Sequence, residues 1–122
     1  MRCIEMRINI GKKELVGLIT EQEGGSIFFE YSDNWVQSGF YIDPLIPLGF
    51  KGILNNIQIE GLTDRLPSVD NPRYEELCSA WGISKDEKDL LILLSTLGHK
   101  SASSIEFFPV GFRPGIWKQI LK

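Results

Sequence analysis

The stretch IEMRINI at residues 4–10 alternates strictly between apolar and polar side chains. A β-strand with one buried face has this period of two, because successive side chains point to opposite sides of the sheet. We therefore predict a strand here. The side chains expected to face the core are those of Ile4, Met6, Ile8 and Ile10.

Two more strand signals follow the first one closely. Gly11 turns the chain into residues 14–20, and the glycine pair at residues 24–25 turns it into the aromatic-rich residues 26–31. Glycine favours tight turns, and aromatic residues favour a pleated surface. Three short strands in succession indicate an antiparallel meander.

The segment after this meander carries weaker signals. Residues 33–36 are typical of a turn or a single helical turn, and residues 41–48 are predicted to be extended because Pro44 and Pro47 restrict the residues before them. The alternation of residues 53–59 is compatible with one more strand at the edge of the sheet.

The second half of the chain changes to a helical period. A helix is predicted to begin near Pro72 and to end near Gly82, since proline suits a first turn and glycine suits a helix end. We expect its apolar stripe to pack onto the sheet. The stripe consists of Tyr74, Leu77, Cys78 and Trp81.

Another helix is predicted between Ser84 and Gly98. Residues 84–87 have the spacing of a capping box, the first turn is acidic, and glycine is a good C-terminal stop. A last strand then follows at residues 105–109, and a short C-terminal helix includes Ile116, Trp117, Ile120 and Leu121. The predicted fold class is α+β: a small antiparallel sheet covered by two helices, with a final strand and a short C-terminal helix.

Length and composition limit the classes of function that the chain can have. The 122 residues fit one domain, and 43% apolar with 24% charged residues is the balance of an ordinary globular protein. The net charge of −3 gives little support for binding a phosphate backbone, so nucleic acid is not expected as a direct partner. No apolar run approaches the ~20 residues of a membrane helix. We expect a cytoplasmic protein with no membrane partner.

Residue types that perform chemistry are scarce. His99 and the two cysteines, Cys3 and Cys78, do not have the spacing of a metal site, and no glycine-rich phosphate loop occurs. His99 is interpreted as a solvated loop residue, and the cysteines as small buried residues, although a disulfide stays open. Trp35, like the other tryptophans, is assigned to packing before binding. We predict no enzyme activity, no cofactor and no metal.

A series of short segments carries a resemblance through its order along the chain. The segments are residues 16–20, Gly25, residues 28–38, residues 44–48, residues 61–62, residues 65–68, residues 90–98 and Pro109. In this order and spacing they resemble the first N-terminal subdomain of HipA-type toxin kinases. The resemblance covers residues 15–109. The acidic residue that usually follows Leu-Pro in that family is Ser68 here.

The resemblance implies one HipA N-terminal-subdomain-like domain over residues 1–122, with residues 112–122 as a C-terminal extension. A free-standing copy is similar to the HipS-like component of three-gene HipBST toxin–antitoxin systems. It implies a non-catalytic, antitoxin-like subunit that binds a HipT-like serine/threonine kinase in trans and controls its activity, with or without blocking its active site.

We expect the kinase contact in the loop that carries the Leu-Pro pair, because a proline-fixed loop loses less entropy on binding. The expected contact residues are Arg65, Leu66, Pro67, Ser68, Val69, Asp70 and Arg73. Replacing Leu66 by Asp or reversing the charge of Arg73 is expected to weaken the complex and to leave the fold intact. The plain alternative is a connection between two elements with no partner.

Two other functional classes stay open. The chain could be a co-regulator that acts through a HipB-like DNA-binding partner in a ternary complex, which predicts a changed operator affinity. It could instead be a small ligand-binding or enzymatic domain, which predicts a deep polar pocket.

Overall fold

The computed structural model describes residues 2–100 and 104–120, and its centre is a five-stranded antiparallel sheet. Its strands are β1 (Cys3–Asn9), β2 (Lys13–Glu21), β3 (Ile27–Tyr31), β4 (Lys51–Ile53) and β5 (Ile105–Val110). They lie in the order β4-β3-β2-β1-β5, each antiparallel to its neighbour. The predicted meander is confirmed in β1, β2 and β3.

Five short helices accompany the sheet within the described residues. They are α1 (Asp33–Ser38), α2 (Asn56–Thr63), α3 (Tyr74–Ala80), α4 (Leu90–Ser95) and α5 (Trp117–Ile120). The α+β class is therefore confirmed, with more helical turns than the two covering helices and the terminal helix that the sequence indicated.

The core lies on one face of β1, as its alternation predicts. Ile4 and Met6 are fully buried and Ile8 is nearly so. The prediction for Ile10 is wrong, because β1 ends at Asn9 and Ile10 stands 57% exposed in the turn. Gly11 makes that turn with a φ of 94°, a conformation that glycine adopts without strain.

The last strand, β5, pairs with the first strand, β1. β5 pairs with β1 from Cys3 opposite Val110 to Ile8 opposite Ile105. β1 therefore has a neighbour on each side, which explains why its inward side chains are so completely buried. The predicted final strand is confirmed, and the structure adds that it joins the sheet beside the first.

The strand considered for residues 53–59 is wrong. β4 ends at Ile53, and α2 begins three residues later, after Asn55. The Asn55 side chain accepts a hydrogen bond from the backbone N–H of Gln58, and the Gln58 side chain accepts one from the backbone N–H of Asn55, both at 2.8 Å. This reciprocal capping box satisfies two free N–H groups of the first turn and favours the helix over the alternating pattern.

The helix predicted near Pro72 is confirmed as α3, but its apolar stripe does not pack onto the centre of the sheet. Tyr74 and Cys78 instead form a second small core with Leu97, against which the partly buried Trp81 packs. Both cysteines are free thiols, and Cys3 is partly exposed.

The next helix begins later than the sequence indicated. Residues 84–87 form a turn, and α4 starts at Leu90 with Asp89 as its N-cap. The Asp89 carboxylate accepts hydrogen bonds from two backbone N–H groups of the first turn and from Arg2 at 2.8 Å. Burial alone would raise the pKa of Asp89, but these hydrogen bonds outweigh it and lower the pKa.

The C-terminal helix closes over the protein itself. Trp117 is 4% exposed, and its indole N–H donates to the Ser95 carbonyl at 2.6 Å. The assignment of Trp117 to packing is therefore confirmed, and Leu121 lies outside the described residues. Among the described helices, none has the length and apolar character needed to cross a bilayer.

Candidate interaction site

The predicted contact residues lie between α2 and α3, in a segment that we call the Leu-Pro loop, residues 65–73. The structure divides this loop into a base that is held by the body of the protein and a tip that faces solvent. The two parts have different consequences for binding.

The base consists of Arg65 and Leu66. The Arg65 guanidinium donates a hydrogen bond to the Ile42 carbonyl at 2.7 Å. Leu66 packs against both hydrophobic cores, and its side chain lies so close to Gly98 that a Cβ there would be 2.8 Å away. Leu66 therefore joins the two cores. The expectation that Leu66→Asp would leave the fold intact conflicts with this packing.

The tip carries Ser68, Val69, Asp70 and Arg73, all of them exposed. Val69 is 62% exposed, which is high for a branched apolar residue. Backbone turns hold the tip: the Asp70 N–H donates to the Ser68 hydroxyl at 3.1 Å, and the Asn71 N–H donates to the Ser68 carbonyl at 3.0 Å. An ordered loop with free side chains is suited to recognition, because little further ordering is needed on binding.

Arg73 has a side-chain partner at the start of α3. Its Nε lies 3.2 Å from Glu76 Oε2, but the two side chains are 75% and 71% exposed. An ion pair this exposed contributes little to stability. Arg73 is therefore available to an acidic partner.

A depression of about 400 Å³ adjoins the tip and is open to solvent. Its walls come from the tip, from the first turn of α3 and from the turn before α4; they include Val69, Pro72, Glu75, Lys85 and Lys88. Its mixed charges and open shape differ from the deep polar pocket that the ligand-binding or enzymatic alternative predicts.

His99 is more enclosed than a solvated loop residue, so that expectation is wrong. Its Nδ1 lies 2.7 Å from the Phe107 carbonyl oxygen, and the rings of Trp81, Phe108 and Trp117 surround it at centroid distances of 4.8–5.7 Å. Burial lowers the pKa of His99, while the hydrogen bond to the carbonyl opposes this change. These contacts give His99 a packing role. Over residues 2–100 and 104–120, no group of three or more His, Cys, Asp or Glu side chains could hold a metal ion.

Sequence reasoning missed a second exposed surface, which we call the apolar face. It consists of Phe40, Tyr41, Leu45 and Ile57, each more than half exposed. The signal was present in the adjacent aromatic residues of the segment before α2. It was passed over because that segment was interpreted only as extended chain.

Comparison with known proteins shows that most of this chain is similar to one part of a larger protein. The chain is 27% identical over 110 residues to the serine/threonine-protein kinase toxin HipA of Shewanella oneidensis. The matched region lies in the N-terminal part of HipA. The chain is similar to the N-terminal region of HipA. The match covers 90% of this chain and 24% of HipA, so the chain spans about a quarter of the relative's length.

The fold agrees with this relationship. A solved complex of Shewanella oneidensis HipA, HipB and its operator DNA contains a chain that matches with a TM-score of 0.65 and 28% identity. The alignment covers 89% of this chain and 24% of the other. No family model matches the sequence. Both comparisons therefore match this chain to about a quarter of a larger protein.

Proposed function

We propose that the protein is a non-catalytic, antitoxin-like regulatory subunit that binds a HipT-like or HipA-type serine/threonine kinase in trans and controls its activity. The observation that carries this proposal is the match of nearly the whole chain to only the N-terminal quarter of a HipA kinase. We expect a module similar to one part of a kinase to keep a surface that fits the remainder of such a kinase.

The tip of the Leu-Pro loop is the contact that we propose first. Pro67 and the turn at Ser68 hold its backbone, and Val69 and Arg73 extend from it into solvent. An apolar side chain beside a cation can give a partner both burial and charge recognition.

The test is co-purification with the HipA-type kinase encoded by the same genome. We expect a complex with the wild-type chain and a loss of it with Val69→Asp. Ile10→Asp is a matched control, because Ile10 is 57% exposed, close to the 62% of Val69, and stands in a different turn. Absence of a wild-type complex would overturn the proposed function, whereas equal binding by all three chains would overturn only the proposed contact.

Regulation is measured separately from binding. Autophosphorylation of the kinase with and without a saturating amount of the chain reports whether the subunit inhibits or activates it. We expect the rate to change in proportion to complex formation. A stable complex with an unchanged rate would contradict a regulatory role.

A second candidate is supported by the solved relative, which contains HipB and operator DNA as well as HipA. Here the chain acts as a co-regulator through a HipB-like DNA-binding partner. In a gel-shift assay, this candidate predicts that the chain changes the operator affinity of the HipB-like protein and does not bind the operator alone. Unchanged operator affinity would argue against it.

A further inference from the structure

The exposed apolar side chains of this protein are concentrated in one segment. Of the ten large apolar residues that stand exposed within the described ranges, seven lie between residues 36 and 57. Single exposed apolar residues are ordinary on a protein surface, but a contiguous group marks an interaction site. These seven side chains indicate an interaction site only if the fold holds several of them in one region.

Buried polar contacts tie together the residues that follow Tyr41 and Leu45. The Tyr31 hydroxyl donates to the Ile46 carbonyl at 2.5 Å and accepts from the Ile42 N–H at 3.2 Å. Ile42 and Ile46 are consequently held at one point, with their side chains in the core. Tyr41 and Leu45, the residues that precede them, remain exposed on the surface.

Further hydrogen bonds hold the other two members of the apolar face, Ile57 and Phe40. The Gln58 amide donates to the Leu45 carbonyl at 2.8 Å, which sets the first turn of α2, with the exposed Ile57, beside Leu45. At the other end, the Trp35 indole donates to the Phe40 carbonyl at 2.9 Å, and the two rings meet edge to face at 5.2 Å. The apolar face is therefore held in place over its length.

Acidic side chains border this surface along α2. Glu60 and Asp64 are exposed and follow Ile57 at helical spacings of three and seven, so they share its side of the helix. The Asp43 carboxylate lies against Gly61, where a Cβ would be 2.6 Å from its oxygen. The exposed cation on the neighbouring strand, Lys51, lies 3.7 Å from Glu30 and is paired with it.

We propose that the apolar face is a second contact for the HipA-type kinase, which covers it with an apolar surface bordered by lysine or arginine residues. This inference rests on the proposed function. A second copy of this chain is a poorer occupant, because a twofold interface would bring the acidic borders of both copies together. In the HipA relative, about three-quarters of the polypeptide lies outside the matched region, and a comparable kinase body is the partner that fits.

The test is the affinity of the purified kinase for the immobilised chain, measured by biolayer interferometry. Ile57→Asp is expected to weaken the affinity at least about tenfold, since it puts a charge into a desolvated apolar contact. The change should not disturb α2, because an acidic residue is favourable in a first turn. Ile10→Asp is the matched control and is expected to change the affinity less than about twofold.

A second variant tests the acidic border without removing apolar contact. Glu60→Lys combined with Asp64→Lys is expected to slow association and to change its dependence on salt. If the wild-type chain binds and both variants bind equally well, the inference is overturned while the proposed function stands. If the wild-type chain does not bind, both the inference and the proposed function are overturned. A wild-type dimer that Ile57→Asp converts to a monomer would assign the surface to a second copy and overturn the inference.

Discussion

The Leu-Pro loop and the apolar face are joined by the hydrogen bond from Arg65 to Ile42, but they present their exposed side chains in different ways. The loop has an anchored base and a polar tip that local turns hold. The apolar face has no regular secondary structure over residues 40–42, yet buried donors and acceptors hold it at several points. The difference indicates that the loop combines one apolar contact at Val69 with charge-dependent recognition, whereas the face suits burial.

The largest expected effect separates the base of the loop from its tip. Leu66→Ala should lower the free energy of unfolding by about 2 kcal/mol, because it removes packing between the two cores. Val69→Ala should change it by less than about 0.5 kcal/mol. Urea denaturation of both variants measures the difference. If both variants lost the same small amount of unfolding free energy, the division of the loop into base and tip would be contradicted.

The next effect concerns the support of the apolar face. Tyr31→Phe leaves the Ile42 N–H and the Ile46 carbonyl without their buried partner, which should cost about 1–3 kcal/mol. Hydrogen exchange at the Ile42 amide should accelerate in the same variant. Tyr41→Phe is the control, because Tyr41 is 53% exposed. Unchanged exchange in Tyr31→Phe would contradict the claim that this hydroxyl orders the face.

A smaller effect measures the connection between the two regions. Arg65→Met should cost about 1 kcal/mol through the lost hydrogen bond to the Ile42 carbonyl. Combined with Tyr31→Phe, the loss should differ from the sum of the single losses, since both side chains bind the backbone of the same residue. A double-mutant cycle of unfolding free energies tests this coupling. Strict additivity would mean that loop and face are energetically independent.

The smallest expected effect on stability is at the tip. Arg73→Glu breaks an exposed pair with Glu76 and should change the free energy of unfolding by less than about 0.5 kcal/mol. The same variant should weaken kinase binding, because it reverses a charge that the tip presents. A variant that unfolds easily, or that binds the kinase as well as wild type, would show that Arg73 has been assigned the wrong role.

Sequence patterns predicted the parts of this fold in which local preference and tertiary packing agree. The alternation of residues 4–10 predicted β1, and the stripe from Tyr74 to Trp81 predicted α3. They could not predict that α3 would build a second core with Leu97, since that depends on the path of the chain after α2. The alternation of residues 53–59 misled because the capping box at Asn55 and Gln58 was the stronger signal.

The candidate site was predictable only in part. Its position in the Leu-Pro loop came from a resemblance. Kinase contact stays a prediction for all seven residues expected there. That Arg65 and Leu66 turn inward could not be read from the sequence, because their partners, Ile42 and Gly98, are more than twenty residues away along the chain. The apolar face also depends on contacts between separate segments of the chain, because the Tyr31 hydroxyl bonds to the backbone of Ile42 and Ile46.

The most direct test of the account is a calorimetric titration of the HipA-type kinase with the wild-type chain. We expect saturable binding at a defined stoichiometry. The heat-capacity change should be negative, because apolar surface is buried. No heat of binding at any temperature, with no complex on gel filtration of the mixture, would contradict the claim that this chain is the partner of such a kinase.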